Sequence, residues 1–316
     1  MSPEEQSPML PYTEEDKEFV WNELNLDENM VRESVEAITD WFNKQPHLVN
    51  AGIDKYCIEK MIIISKGSIE KAKQRIDSYY KYRYLAPEFI QERDMLRDPQ
   101  SKIWDAWCFF FSVIFTIPKM QNGRRVHFMK FSEDLGMFDI TQLFRNCFMY
   151  TDIRMGYDYW LTDTWILDLR HITFSHIFTL KPTILRKAAL LFQNGLNWRI
   201  QAIHVINLQG PTALVQRALD FFGQFFNTLI MSRVLLHESE EDLLKFVPKE
   251  YLPEDYGGTA PHTKVFTENM EKEFKRQKTI DFLLDCSRMV SDESRRPRDE
   301  YSEENLPGSF RKLEVD

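Results

Sequence analysis

Leu252-Pro253-Glu254-Asp255-Tyr256-Gly257-Gly258 carries more of the fold than any other stretch of this chain. It reads as a sharp, proline-led turn closed by two glycines, which reach backbone conformations other residues avoid. Upstream, Ile203-His204-Val205-Ile206-Asn207 is a short apolar run of strand character. Between the two lies Ala213 to Leu236, a segment of helical spacing rich in Phe and Leu. The order is buried strand, oily helix, glycine turn. No catalytic motif occurs elsewhere, so the apolar segments are the main clue to function.

The rest of the chain fills in around this half. From Glu14 to Arg93 the pattern is helical, with Val31, Val35, Ile38, Trp41 and Phe42 on one face. Pro46 breaks that helix, and Gly67-Ser68 reads as a stop followed by an N-cap for a helix over Ile69–Tyr84. Asp94–Lys102, with Pro99, is the expected seam between two subdomains. After it the texture changes. Phe109–Ile117 is apolar, Gln121-Asn122-Gly123-Arg124 is a hairpin signal, and Val126–Phe131 alternates in part. Ile140–Met155 is helical, Thr164–Leu169 a buried strand, Lys181–Gln193 a helix with Pro182 in its first turn, and Ala202–Ile206 another buried strand. Strands alternating with helices predict an α/β domain with a mainly parallel sheet. The expected organisation is a flexible leader over 1–15, a helical subdomain over 16–95, an α/β domain over 96–260, and over 261–316 a helix (Val265–Leu284) with a disordered charged tail from 287.

Composition removes several function classes. A net charge of −9 disfavours nucleic acid, whose binding requires a positive footprint. Cys57, Cys108, Cys147 and Cys286 form no CxxC pair, which argues against a zinc ribbon and suits a reducing compartment. The seven histidines include neither HExxH nor a Cys-His cluster, so no metal is expected. Phosphate-binding glycine loops are missing, and no cofactor is expected. Ser175-His176 with Asp168 has the residue types of a hydrolase, but adjacent Ser and His rarely make a working dyad and GxSxG is absent. Met1–Asp16 lacks the pattern of a signal peptide, and no run of 18 apolar residues exists, so a cytoplasmic protein is expected.

In this order the pieces resemble the CRAL-TRIO lipid-transfer family. The resemblance covers roughly Trp41 to Gly258. It rests on Trp41-Phe42 with Gln45-Pro46-His47-Leu48, on Ile69-Glu70-Lys71-Ala72-Lys73 followed by Tyr79, Tyr80 and Arg83, and on Asn122-Gly123-Arg124-Arg125-Val126. It continues through Ile166-Leu167-Asp168-Leu169, Phe174-Ser175-His176 and the Tyr-Gly-Gly turn. The similarity is greatest to the branch with tocopherol- and retinaldehyde-carrying members, its insect members above all. It implies a CRAL-TRIO fold: a helical N-terminal subdomain beside a mainly parallel sheet flanked by helices, with an apolar pocket under a lid helix, here about Ala213–Ser232. It also implies a non-catalytic protein that binds one small hydrophobic ligand (retinoid, tocopherol, isoprenoid or phospholipid-like) and moves it between membranes, touching the membrane peripherally during exchange. The alternative is a lipid-sensing adaptor that binds ligand and a protein partner without transfer.

The lid carries two adjacent stripes at helical spacing. One is Leu214, Ala218, Phe221, Phe225 and Leu229; the other is Val215, Leu219, Phe222, Phe226 and Ile230. Phe144, Cys147, Phe148 and Thr151 share a helix face that corresponds to a pocket wall in the family. Leu167, Leu169, Phe174, Ser175, Leu191, Leu196 and Ile203 join them as ligand-binding candidates, with Leu214, Ala218, Phe221, Phe222 and Phe225 from the lid. The family's branch meets phosphoinositide headgroups with a basic cluster. Only Lys66, Arg199 and Arg233 remain of it, while Gln201 and Leu229 replace bases, so headgroup binding is expected to be weak. Gln209-Gly210-Pro211 is extra length between strand and lid, where it would alter the hinge.

Overall fold

The computed structural model describes residues 7, 9–91, 93–97, 114–131, 133, 139–178, 180–196, 198–208 and 210–297. Five helices come first: α1 (Glu14–Glu23), α2 (Glu28–Asn43), α3 (Lys55–Ile64), α4 (Ile69–Tyr84) and the single turn α5 (Pro87–Ile90). Their starts follow the capping residues. Thr13 and Asp16 form a reciprocal capping box, and Asp27, Asp54 and Ser68 each accept a bond from the first turn of their helix. Gly67, at φ +77°, makes the left-handed step between α3 and α4. Ile38, Phe42, Met61, Ile62, Ile76 and Tyr80 form the core of this helical region.

The second region is a five-stranded sheet in the order β1-β2-β3-β4-β5. The strands are β1 (Ile114–Thr116), β2 (Arg124–Lys130), β3 (Thr162–Asp168), β4 (Ile200–Ile206) and β5 (Val234–Leu236). β1 and β2 are antiparallel, joined across a turn in which Asn122 and Gly123 have φ of 50° and 68°. Two consecutive positive angles are what a tight hairpin twist needs. All other pairs are parallel. Each parallel step carries helices: α6 (Ile140–Tyr157) after β2, α7 (Phe174–Phe178) and α8 (Pro182–Leu190) after β3, α9 (Thr212–Gly223) and α10 (Thr228–Met231) after β4. Right-handed crossovers that advance in one direction place their helices on one face of the sheet. The opposite face is covered from the chain's end. Phe128 meets Tyr256 with ring centroids 5.2 Å apart, and Phe115 meets Phe266 at 5.8 Å.

Several segments differ from expectation. The lid segment is not one helix: it breaks after Gly223, resumes for one turn and ends as strand β5. The single helix expected over Val265–Leu284 is two, α11 (Thr263–Phe274) and α12 (Gln277–Cys286). Residues 287–297 are tied down rather than disordered. Asp292 N–H donates to His47 O at 2.8 Å, and Arg296 Nη1 reaches both Asp77 oxygens at 2.7 Å. In the leader, Ser7, Met9 and Leu10 are buried, and Arg125 donates to Pro11 O at 2.7 Å. The rest of the expected charged tail, 298–316, and much of the expected seam lie outside the described residues.

Candidate functional site

On the crossover face the sheet and its helices enclose an apolar cavity of about 330 Å³, within the usual ligand-pocket range. Its floor is the alternate residues of the strands: Met129 from β2, Trp165 and Leu167 from β3, Ile203 and Val205 from β4, Val234 from β5. An irregularity in β3–β4 pairing, opposite Asp163 and Thr164, lets Ile200 share that face with Ile203. One wall is the α6 face of Ile140, Leu143, Phe144, Cys147 and Thr151, spaced by three and four. Ile172, Ile177, Leu180, Leu185 and Phe192 close one end. The roof is Val215, Ala218, Leu219 and Phe222 of α9 with Phe226, Ile230 and Met231 beyond the break.

The polar lining is sparse and already committed. Thr151 Oγ1 donates to Cys147 O at 2.8 Å. Burial pushes the Cys147 thiol up to about 12, so it stays protonated. His176 Nδ1 accepts from the Thr173 backbone N–H at 3.2 Å. Among the described residues, no Asp, Glu, Lys or Arg lines the cavity.

Just outside it, Asp168 at the end of β3 anchors the glycine turn. Tyr256 donates its hydroxyl to Asp168 at 2.5 Å, and Asn207 and Arg170 bond the same carboxylate. Burial alone would raise this carboxyl, but those hydrogen bonds hold it below the usual range. Asp168 therefore serves the turn. Gly258 has no room for a side chain, since a Cβ there would lie 1.8 Å from Leu252 O.

Of the residues singled out in the sequence, the fold brings Phe144, Cys147, Thr151, Leu167, Leu169, Ile203, Ala218 and Phe222 together around the cavity. Phe148, Leu191 and Leu196 are buried instead in the helical core, where Phe148 stacks on Phe89 at 5.4 Å. Phe174 lies outside the lining and seats against Gly210. Leu214, Phe221 and Phe225 lie outside the lining, whereas Ala218 of the same lid stripe joins the neighbouring stripe, Val215 to Ile230, in facing the cavity. The Ser175 side chain is outside the described residues. Met129, Ile140, Leu143, Trp165, Val205 and Met231 were not singled out, although strand alternation and the α6 spacing carry a signal for the first five. The expected headgroup residues are partly spoken for. Arg199 donates to Ile63 O at 2.9 Å, and the Arg233 guanidinium bonds Ile200 O. Lys66 sits in the left-handed step after α3, at φ 57°.

A helical region beside a mostly parallel sheet, with a roofed cavity that no Asp, Glu, Lys or Arg lines among the described residues, is an architecture suited to lipophilic molecules. Residues 112–258 match the CRAL/TRIO domain, and residues 27–100 match the Pinta-like UBA domain. The chain thus carries a CRAL/TRIO domain, in keeping with the resemblance read from its sequence. It is similar to the alpha-tocopherol transfer protein-like proteins of Homo sapiens and Pongo abelii, each 29% identical over 109 residues, 33% of this chain and 30% of the relative. The Mus musculus protein of that name is 29% identical over 100 residues, 30% of this chain and 27% of the relative. The matched stretch thus spans less than a third of each relative's length. At the family level this supports binding and transfer of lipophilic ligands by proteins that are generally non-catalytic. Among the described residues no helix is long and apolar enough to cross a membrane.

Proposed function

We propose that this chain is a non-catalytic carrier that shields one neutral lipophilic molecule and exchanges it at membrane surfaces, within the cytoplasm. The observation that carries the reading is the lining of the cavity. Each ligand CH₂ buried there contributes about 0.8 kcal/mol. An ionised head drawn inside would lose several kcal/mol of hydration and, among the described residues, find no counter-charge. The ligand is therefore an uncharged hydrocarbon with at most a small polar group, in the manner of a tocopherol, retinoid or other isoprenoid. A phospholipid would have to keep its head outside. The cavity-lining residues named above are the proposed ligand contacts. Since Arg199 and Arg233 already donate to backbone carbonyls, a phosphoinositide headgroup is a weak partner at best.

A donor–acceptor vesicle assay tests this. Phosphatidylcholine donors carry α-tocopherol or retinol, and the chain is expected to speed their movement to acceptors in proportion to its concentration. Phe222→Asp, which puts a charge into the cavity roof, should abolish that activity. Tight binding without transfer would mark a lipid sensor instead, and no binding of either lipid would overturn the carrier reading.

A further inference from the structure

The break in the lid, at residues 224–227, interrupts the helical hydrogen-bond ladder over the cavity. A side chain from the opposite rim meets it. Gln193 Nε2 donates to the carbonyl of Phe225 at 2.9 Å, and Gln193 Oε1 accepts from the backbone N–H of Asn227 at 2.6 Å. A primary amide is suited to this, because it offers a donor and an acceptor side by side. A carboxylate, which only accepts, could not satisfy the Phe225 carbonyl.

The base of this contact is firm and the lid is not. Gln193 belongs to a π-turn over Leu191–Leu196, a widened helical turn that re-aims side chains. Leu191, Gly195 and Leu196 of that turn are buried against the helical region, and Phe192 lines the cavity. Across Thr212–Met231, by contrast, Ala218 alone is buried among the described side chains. At the other end of the lid stands a glycine. Gly210, at φ +154°, lies so close to Phe174 that a Cβ would stand 2.4 Å from the ring's Cε2.

We propose that Gln193 is the latch of the lid: its amide holds the break between α9 and α10 shut over the cavity, and its release lets the cargo out, with Gly210 as pivot. This positioning role rests on the carrier reading. Phe192, next to the latch, would let cargo in the cavity influence it.

The test compares the wild-type chain with Gln193→Met, which keeps length and loses both bonds, and Gln193→Ala. Each is loaded with retinol, and release to phosphatidylcholine vesicles is timed by retinol fluorescence. Two hydrogen bonds of ordinary net strength correspond to release roughly ten- to a hundred-fold faster in both variants. The thermal midpoint should fall by no more than a few degrees, the share of two hydrogen bonds in a chain of 316 residues, and a much larger drop would overturn the latch in favour of a general packing role. A release rate equal to wild type in a folded variant would overturn the latch. Failure of the wild-type chain to retain any neutral lipid would instead overturn the carrier reading beneath it. A second measurement needs no variant: hydrogen exchange on the wild-type chain. The Asn227 amide should be protected and open together with α9 and α10; an unprotected Asn227 amide would overturn the proposal.

Discussion

His127 shows how much a single residue can hide. In the sequence it is one base in an alternating strand. In the structure it is fully buried, with Asp163 Oδ1 2.9 Å from Nε2 and the Tyr150 hydroxyl 2.8 Å from Nδ1, and its ring packs on the cavity-floor Trp165 at 4.7 Å. Burial, then the nearby Arg154 charge, pushes it down to about 4 despite Asp163. An unfolded histidine titrates near 6.5. Between these values the unfolded chain binds a proton that the native chain refuses, so stability falls as pH drops from about 6.5 toward 4. This group alone should remove about 3 kcal/mol across that window. Urea unfolding at pH 7 and pH 4.5 measures it, and His127→Gln should flatten the pH dependence by close to one proton. None of this is legible in the sequence, because it depends on which strands become neighbours. The Leu252–Gly258 turn is the opposite case. Its glycines announce the backbone directly, and only its partner, Asp168, needed the fold to be seen.

At the scale of elements, spacing located most helices and strands, and the cavity wall on α6 follows from one helical face. What spacing could not decide was the rotation of the lid. Its two oily stripes are equivalent in sequence, and the face turned inward, the Val215 stripe together with Ala218 of the other, is set by how α9 leaves Pro211. Strand β5 was also hidden, since Val234-Leu235-Leu236 continues the apolar pattern of the lid without a break. Ala218 gives the inward face a direct test. It is buried in the roof and lines the cavity. Ala218→Trp should fill the space that cargo would take. Ligand retention should drop at least tenfold while the unfolding free energy shifts by about 1–3 kcal/mol or less, the usual cost of overpacking. Binding assays beside urea titration would show whether the two separate as expected.

At the scale of the molecule, the helical region, the sheet domain and the chain's end are joined through one carboxylate. Asp152 on α6 takes Arg83 from α4 at 2.6 Å and Arg93 at 2.6 Å, and Tyr79 donates to it at 2.9 Å. The same arginines donate to carbonyls near the end of α12: Arg83 to Cys286 and Met289, Arg93 to Leu283. Those carbonyls carry the partial negative charge of a helix C-terminus, which offsets the second guanidinium. Burial would raise Asp152, but the two arginines hold it below the usual carboxylate range. Removing it leaves two buried cations, so Asp152→Ala should cost about 3–5 kcal/mol in urea unfolding. This joint holds the helical region and the chain's end against α6, the helix that also walls the cavity.

The central claim is that the cavity holds one uncharged lipophile. Native mass spectrometry of the purified chain, paired with an organic extract of the same sample after incubation with mixed membrane lipids, tocopherol and retinol, tests it most directly. The account predicts a single neutral lipid bound one to one. A chain that stays empty, or one that returns a stoichiometric ionised lipid, would contradict it.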